Sequence, residues 1–309
     1  MSGKLRIGTR GSALALWQAE DVRAKLAATG IEAELVVIRT AGDRDRETPL
    51  SVMGGKGVFI KELEDALFEN RIDLAVHSMK DVPTALPEGL GITAVCARAD
   101  VHDALVSRAG LRLGELPRGA RIGTGSLRRR AQLWHYRADL EMVEIRGNVD
   151  TRLRKLDGGD CDALVLAQAG LERLGAAGRI TEAISTDVCL PAAGQGAVGI
   201  ESRVSDESLR GAISVLNDLE TRLAVDAERA ALAGLEGGCQ MPVGVWAHVQ
   251  NRELVVEACV LSPDGSESMR VRRVGSPLAG EEIGATVAEA LRSSGADRLL
   301  RAASAQPRK

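Results

Sequence analysis

The sequence has few aromatic side chains: tryptophan, tyrosine and phenylalanine together make up 2% of its 309 residues. Because single-stranded nucleic acids bind largely by stacking their bases on such rings, this scarcity argues against that class of partner. The formal net charge of −3 also argues against a nucleic-acid binder that relies on bulk positive charge. The sequence further lacks an apolar run of about 18 residues, so no membrane-spanning helix is predicted.

The cysteines lack any C-x-x-C spacing and are odd in number, which is typical of a reducing compartment. This pattern predicts no metal site, no redox motif and no disulfide framework. The first residues lead directly into a predicted strand with no apolar segment before it, which argues against secretion. We therefore expect a cytoplasmic protein. The cysteines are Cys96, Cys161, Cys189, Cys239 and Cys259.

The residues that are present describe a globular α/β protein. Hydrophobic residues make up 45% and charged residues 27% of the chain, and its length suits two or three domains. Strand and helix patterns alternate through the first two thirds. These predicted elements are strands over Leu5–Thr9, Ala33–Thr40, Ile72–His77, Gly91–Cys96, Arg121–Thr124, Leu140–Arg146 and Asp162–Ala167, and helices over Ser12–Ala28, Val58–Asn70, Ser126–Ala138 and Val149–Leu156.

The final third predicts a different arrangement. A long helix over Asp218–Leu235 is followed by three strands, and a last helix covers Gly280–Ser293. The strands are predicted over Val243–Val249, Glu253–Leu261 and Ser268–Val274. This order favours a small antiparallel sheet covered by helices, which we interpret as a separate domain.

One short pattern occurs twice. Arg6–Ser12 and Arg121–Ser126 each end a predicted strand with Gly-Thr and then place a serine at the start of a helix. Serine is a good N-cap, and a helix N-terminus with free amide donors favours anions. Two similar α/β lobes with helix starts facing a shared cleft would explain the repeat, although ordinary capping in two unrelated loops explains it too.

Arginines concentrate close to these helix starts. Gly123–Arg130 combines the hydroxyls of Thr124 and Ser126 with the planar forks of Arg128 and Arg129, which suit carboxylate or phosphate. A solvated basic helix face is the alternative. The segment Arg146–Arg152 also places arginines near a helix start: its strand ends in one arginine, and a second arginine lies in the next helix. Arg10, Lys56 and Arg173 are further candidates for the same site.

Asp81 follows a predicted buried strand, in the segment Val76–Pro83, where ligands of α/β sheets gather. Beside Lys80 and other cations its carboxylate would suit the stabilisation of a transient cation or the transfer of a proton. An aspartate in a turn before Pro83 is the alternative interpretation.

Cys239 lies in a connection after two glycines, whereas free cysteines are more often buried in regular elements. Glycines allow another group to approach closely, so Cys239 is a candidate nucleophile or attachment point. The other cysteines lie in apolar runs and are interpreted as structural.

Taken together, these segments resemble the porphobilinogen deaminase family, also called hydroxymethylbilane synthase, over nearly the whole chain and in the same order. The segments are Arg10–Gln18, Gly54–Gly57, Val76–Asp81, Gly123–Arg129, Arg146–Leu153, Leu190–Gly196 and Leu235–Gln240.

The resemblance implies two lobes like those of periplasmic binding proteins, with mixed sheets around a cleft, and a smaller C-terminal α/β domain with an antiparallel sheet. The expected boundaries are 1–98 with about 197–215 for lobe 1, 99–196 for lobe 2 and 217–309 for the C-terminal domain. A monomer is expected on the same ground.

The resemblance also implies a transferase that joins four porphobilinogen molecules, with loss of ammonia, into linear hydroxymethylbilane for haem and related tetrapyrroles. Cys239 would carry a dipyrromethane primer through a thioether, and Asp81 would stabilise the azafulvene cation formed when ammonia leaves. Every pyrrole brings an acetate and a propionate, which need cationic and hydroxyl partners. The residues expected to bind them are Arg10, Ser12, Lys56, Ser78, Lys80, Thr124, Ser126, Arg128, Arg129, Arg146, Arg152 and Arg173.

One position departs from the family pattern. Val52 stands where some relatives carry a second basic residue, four positions before Lys56, and no role is assigned there. A non-catalytic, two-lobed binding protein for a small polycarboxylate is the alternative function. The lack of a secretion signal and the glycine-flanked Cys239 favour the enzyme, and a nucleic-acid binder using Arg128–Arg130 is disfavoured by charge and composition.

Overall fold

The structure is a computed structural model that describes residues 4–40, 60–236 and 241–305. The strands of these residues are, in chain order, β1 (Leu5–Thr9), β2 (Ala33–Val37), β3 (Leu74–Ser78), β4 (Leu90–Val95), β5 (Asp103–Ser107), β6 (Arg121–Gly123), β7 (Glu141–Val143), β8 (Ala163–Ala167), β9 (Glu182–Ile184), β10 (Val198–Arg203), β11 (Val243–Gln250), β12 (Glu253–Leu261) and β13 (Ser268–Gly275).

The helices of the same residues alternate with the strands through the first two thirds of the chain and cluster toward its end. They are α1 (Ala13–Ala27), α2 (Lys61–Phe68), α3 (Leu127–Tyr136), α4 (Val149–Asp157), α5 (Gln168–Arg173), α6 (Glu207–Ile213), α7 (Leu219–Gly234), α8 (Gly280–Ser293) and α9 (Ala296–Ala305). None of them is long and apolar enough to span a bilayer.

The chain divides into two compact units. The first contains Met1–Ala99 and Ala197–Arg222, and the second contains Asp100–Gly196 and Leu223–Lys309. The further division of the second unit into a lobe and a C-terminal domain stays a prediction.

The sheet of the first unit has the order β2-β1-β3-β10-β4. Strands β1, β2 and β3 are parallel, whereas β10 runs antiparallel to both β3 and β4. Apolar side chains cover both faces, those of α1 and α6 on one side and those of α2 on the other. The sheet is therefore the middle layer between helices, and buried strands such as Leu74–Ser78 need no polar alternation.

The five-stranded sheet of the second unit repeats this topology. Its order is β7-β6-β8-β5-β9, with β6 parallel to β7 and β8, and with β5 antiparallel to β8 and β9. Each strand therefore has a counterpart at the same place in the first sheet. The repeated Gly-Thr pattern lies on the corresponding strands β1 and β6, so the interpretation as two similar lobes accounts for it.

An ion pair is repeated together with the topology. The backbone N–H of Arg6 donates to Asp73 Oδ2 at 2.8 Å, and its guanidinium Nη2 reaches Asp73 Oδ1 at 2.7 Å. In the second unit the backbone N–H of Arg121 donates to Asp162 Oδ2 at 2.9 Å, and its Nη2 reaches Asp162 Oδ1 at 3.3 Å. Each aspartate immediately precedes the strand next to the arginine, so both pairs fix the start of two parallel strands.

The C-terminal part of the second unit forms the antiparallel sheet β11-β12-β13. Alternate residues of β11 and β12 pack against α7, α8 and α9 in one apolar cluster. The predicted fold class, mixed α/β with two larger sheets and a smaller antiparallel one, is confirmed. Strands β5, β9 and β10 and helices α5, α6 and α9 were not predicted from the sequence.

Candidate active site

The candidate residues lie at the carboxyl ends of the parallel strands in each unit. In the first unit Arg10 and Ser12 follow β1, and Ser78, Lys80 and Asp81 end or follow β3. In the second unit Thr124 and Ser126 follow β6, Arg146 follows β7 and Arg173 ends the helix after β8. Parallel strands bring their carboxyl ends to one edge, so each sheet gathers its own group of candidate residues there.

Asp81 is the last residue of a single 3₁₀ turn, Met79–Asp81, directly after β3. The side chains of Met79 and Val82 on either side are buried, at 2% and 4% exposure, whereas Asp81 is exposed. The Met79 N–H donates to the Ala197 carbonyl at 3.0 Å, and the Val82 N–H donates to the Met79 carbonyl at 3.2 Å. Two buried anchors thus hold the turn and present the Asp81 carboxylate to solvent.

Strand β10 packs against this turn. A Cβ at Gly199 would lie 2.1 Å from the sulfur of Met79, so any other residue at position 199 would force the Met79 side chain to shift. On β3, two residues before Met79, His77 Nε2 lies 2.8 Å from Glu201 Oε2, and both side chains are buried. The end of β3 is therefore tied to β10 by packing and by a buried polar pair.

Ser12 caps α1, because its Oγ accepts the Ala15 N–H at 3.3 Å. Its hydroxyl hydrogen is still available to donate, since a serine oxygen can accept and donate together. The preceding Thr9 donates to the Ala15 carbonyl at 3.0 Å and so closes the connection between β1 and α1. Arg10 projects from this connection and is half-buried.

Ser126 caps α3 in the same manner, accepting the Arg129 N–H at 3.4 Å. The hydroxyl oxygen of Thr124, which is buried, accepts the Ser126 N–H at 3.3 Å. The two predicted N-caps are confirmed, and each places a hydroxyl at the start of a helix where an anion is favoured.

Arg128 and Arg129 lie inside the protein, at 4% and 6% exposure, so the alternative of a solvated basic helix face is wrong. Arg128 Nη1 donates to Asp103 Oδ2 at 2.6 Å and to the Leu190 carbonyl at 2.8 Å. Arg129 donates through Nη2 to Asp103 Oδ1 at 2.7 Å and through Nη1 to the Val165 carbonyl at 3.1 Å. The carboxylate that both forks hold is the protein's own, and their binding of ligand carboxylates stays a prediction.

The other candidate arginines are half-buried. Arg146 forms an ion pair with Glu144. Arg152 Nε donates to the Gly147 carbonyl at 2.7 Å, and Arg173 Nη2 donates to the Gly196 carbonyl at 2.7 Å. Backbone carbonyls thus orient two of these side chains, so neither is a freely moving surface arginine.

Cys239 and Lys56 lie outside the described residues, as do Val52 and the segment 54–57. Helix α7 ends at Gly234, before the Cys239 segment, and strand β11 begins at Val243, after it. On α7 the fully buried Glu228 accepts the Gly194 N–H at 2.6 Å and the Ala247 N–H at 2.8 Å. This carboxylate joins the helix and the strand that flank the Cys239 segment.

Sequence reasoning missed Asp103, the residue with the most donors in this region. Its fully buried side chain also accepts from Gln195 Nε2 at 3.0 Å, which gives the segment Leu190–Gly196 a structural role. The available signal was a charged residue at the head of the apolar run Ala104–Val106. Burial alone would raise the pKa of Asp103, but the charges and hydrogen bonds of Arg128 and Arg129 outweigh it and hold that pKa far below its usual range.

Comparisons with known proteins give one strong result and several weak ones. A family model described as "Porphobilinogen deaminase, dipyromethane cofactor binding domain" matches residues 5–211, and one described as "Porphobilinogen deaminase, C-terminal domain" matches residues 222–293.

Among solved structures, the chain is similar to a periplasmic substrate-binding protein of an ABC transporter from Coxiella burnetii, with 14% identity, 69% of this chain and 91% of that chain covered, and a TM-score of 0.41. It is also similar to a methionine-bound nutrient binding protein from Burkholderia cenocepacia, with 11% identity, 69% and 91% covered, and a TM-score of 0.42. A third is the VFT2 domain of BvgS from Bordetella pertussis, with 16% identity, 69% and 84% covered, and a TM-score of 0.41.

Proposed function

Because the chain belongs to the porphobilinogen deaminase family, we propose that Asp81 and Cys239 are the two residues at the centre of its chemistry. The chain is a transferase that condenses four porphobilinogen molecules into linear hydroxymethylbilane, and the family's cofactor is dipyrromethane. The match of both family models carries this function. Neither model describes a non-catalytic binding protein, so that alternative is set aside.

The described residues fit a primer that carries several carboxylates. The helix start at Ser126 offers backbone donors and a hydroxyl. In the same helix turn, the buried guanidinium groups of Arg128 and Arg129 both pair with the single carboxylate of Asp103. This leaves a local excess of positive charge where an anionic group is favoured. Cys239 would hold the primer by its thioether, and the primer, when bound, supplies the ring carbon on which chain growth starts.

The anion-binding set is proposed as follows. Hydroxyls at the two helix starts and cations beside them would accept the acetates and propionates of the primer and the growing chain, and bidentate arginines would fix their orientation. The residues are Arg10, Ser12, Lys56, Ser78, Lys80, Thr124, Ser126, Arg128, Arg129, Arg146, Arg152 and Arg173.

Asp81 would act where positive charge develops. When ammonia leaves the aminomethyl group of porphobilinogen, the methylene carbon and its pyrrole become electron-poor. A carboxylate held at a fixed position stabilises that charge without having to reorganise during the reaction. The same oxygen atoms can take up and return the proton that moves as the new carbon–carbon bond forms. The turn Met79–Asp81 supports this role, because the exposed carboxylate of Asp81 belongs to a turn that the buried side chains of Met79 and Val82 hold in place.

The test is turnover of purified Asp81→Asn, with ammonia release and porphobilinogen consumption measured together. Loss of acid–base and electrostatic help should lower the rate by about 10²–10⁴-fold. The intact mass should still show the primer, because attachment uses Cys239. Asp157→Asn, which changes an exposed aspartate paired with Arg179 on the surface, is the matched control and should keep full turnover. Near-normal turnover of Asp81→Asn removes Asp81 from the mechanism.

We also propose a cytoplasmic monomer organised as lobe 1 (1–98 with about 197–215), lobe 2 (99–196) and a C-terminal domain (217–309). The odd number of cysteines and the lack of any C-x-x-C spacing in the sequence support the compartment. The place of β10 between β3 and β4 supports the return of the chain to the first lobe after residue 196. Sedimentation of the purified chain tests the monomer.

A further inference from the structure

Asp103, at the first position of β5, is the acceptor for a cluster of donors from distant parts of the chain. Its carboxylate accepts from Arg128 Nη1 at 2.6 Å, from Arg129 Nη2 and Nε at 2.7 and 2.9 Å, and from Gln195 Nε2 at 3.0 Å. The thiol of Cys189 completes the set at 3.3 Å from Oδ2. The Asp103 side chain has no exposed surface.

The charges of this cluster do not cancel. Arg128 and Arg129 bring two positive charges at 4% and 6% exposure, and Asp103 brings one negative charge. Burial and the neighbouring Asp103 raise the pKa of the Cys189 thiol far above its usual range, so that group is a neutral donor. The three charged side chains together therefore carry one surplus positive charge inside the protein.

Without a counter-ion, two adjacent guanidinium groups in such a place would repel each other, and each would lose its solvation. Asp103 removes most of that cost and fixes both planes, since each arginine uses the carboxylate in a charge-assisted hydrogen bond. Both arginines belong to the first turn of α3, directly after the cap residue Ser126. The surplus charge therefore belongs to side chains of the helix turn that is proposed to receive a ligand carboxylate.

We propose that Asp103 is a positioning residue of the carboxylate-binding site: an internal counter-ion that holds Arg128 and Arg129 in place before the primer arrives and leaves one positive charge for the primer's carboxylates. This inference rests on the proposed function, because it assumes that the helix start at Ser126 binds the primer. It explains how the chain can fold with two buried arginines before any primer is attached.

The experiment compares primer content and thermal stability in the full-length chain. Asp103→Asn keeps the size of the side chain and removes its charge, so chains that carry the dipyrrole mass should become at least tenfold rarer, because a broken buried ion pair leaves an uncompensated charge. Asp162→Asn is the matched control, because Asp162 also pairs with arginines but lies partly exposed at the start of β8. It should keep full primer content.

Moving the negative charge from position 103 to position 189 tests whether Asp103 acts through its charge or only through its packing. Cys189 Sγ lies 3.5 Å from Arg128 Nη1 and 3.3 Å from Asp103 Oδ2, so a carboxylate at position 189 can replace the lost counter-ion. The double variant Asp103→Asn/Cys189→Asp should regain most of the primer content and of the thermal transition. The neutral double variant Asp103→Asn/Cys189→Asn should regain neither. If Asp103→Asn alone fails to fold, recovery of a cooperative thermal transition in the first double variant but not in the second supports the proposal equally.

Full primer content in Asp103→Asn overturns the inference, and so does equal behaviour of the two double variants. A wild-type chain without the dipyrrole mass refutes the proposed function itself, and that outcome is distinct because it does not depend on any change at Asp103.

Discussion

At the scale of single residues, the candidate arginines are of two kinds, which differ in burial and in the groups that they bind. Arg128 and Arg129 are buried and share Asp103, whereas Arg146 and Arg152 are half-buried and bind Glu144 and a backbone carbonyl. Loss of a buried partner leaves an uncompensated charge and strongly destabilises a protein, whereas a partly exposed pair contributes only about 0–1 kcal/mol. The two kinds should therefore respond differently to mutation.

Arg146→Gln tests the second kind. The variant should slow chain extension by about 10- to 100-fold, because a charge-assisted hydrogen bond to a ligand carboxylate is worth roughly 1.5–3 kcal/mol. Its melting temperature should hardly change, since the pair with Glu144 is partly exposed. Arg179→Gln is the matched control, because its side chain is exposed to a similar degree (42% against 35%) and pairs with a surface carboxylate. Unaltered extension kinetics in Arg146→Gln would exclude it from ligand binding.

Sequence patterns predicted local roles well and distant pairings poorly. The two capping serines are confirmed, because a cap depends on residues three positions apart. The burial of the structural cysteines is also confirmed for Cys96, Cys161, Cys189 and Cys259. Asp103 was missed because its partners lie 25, 26, 86 and 92 positions away, and the residues next to it in the sequence do not indicate them. Lys56 and Cys239 stay predictions, since both lie outside the described residues.

At the scale of elements, the turn Met79–Asp81 depends on a strand that sequence reasoning did not find. β10 contains Gly199 and the buried Glu201, both of which are poor strand formers without their partners. Those partners, Met79 and His77, belong to β3 and the turn after it, more than a hundred positions earlier. Neither the hydrophobic period of a sequence nor the strand propensity of its residues can identify such a strand, because only distant side chains explain its glycine and its buried glutamate.

Gly199→Ala tests whether β10 positions the turn. The added methyl would meet the Met79 sulfur, so the buried anchor of Asp81 must shift, and overpacking of this kind costs about 1–3 kcal/mol. We expect kcat for porphobilinogen to fall about tenfold, which corresponds to about 1.4 kcal/mol of the activation free energy, while the primer stays attached.

Gly211→Ala is the control, because Gly211 lies on helix α6 of the same unit and a methyl there meets nothing within 4 Å. This variant should keep its activity and gain slightly in stability. An unchanged kcat in Gly199→Ala would show that the turn holds its geometry without this contact.

At the scale of the whole molecule, the two five-stranded sheets share one topology, one repeated strand-to-helix pattern and one repeated arginine–aspartate pair. The sequence predicted the parallel strands of both sheets, because β1, β3, β6 and β8 are followed by helical or polar turn signals. It did not predict the antiparallel strands β5 and β10, because the strands that they pair with, β8 and β3, lie far away in the sequence. The family match over residues 5–211 and 222–293 then assigns a reaction to this scaffold.

The central claim is that Cys239 carries a dipyrrole on which the enzyme builds its product, and the intact mass of the denatured full-length chain tests it most directly. We expect the wild-type chain to be heavier than its polypeptide by one dipyrrole unit. Cys239→Ser should lack the added mass, and Cys161→Ala, which removes a buried thiol elsewhere, should keep it. A wild-type chain with the mass of the bare polypeptide, or an equal addition in Cys239→Ser, would show that Cys239 does not carry the primer.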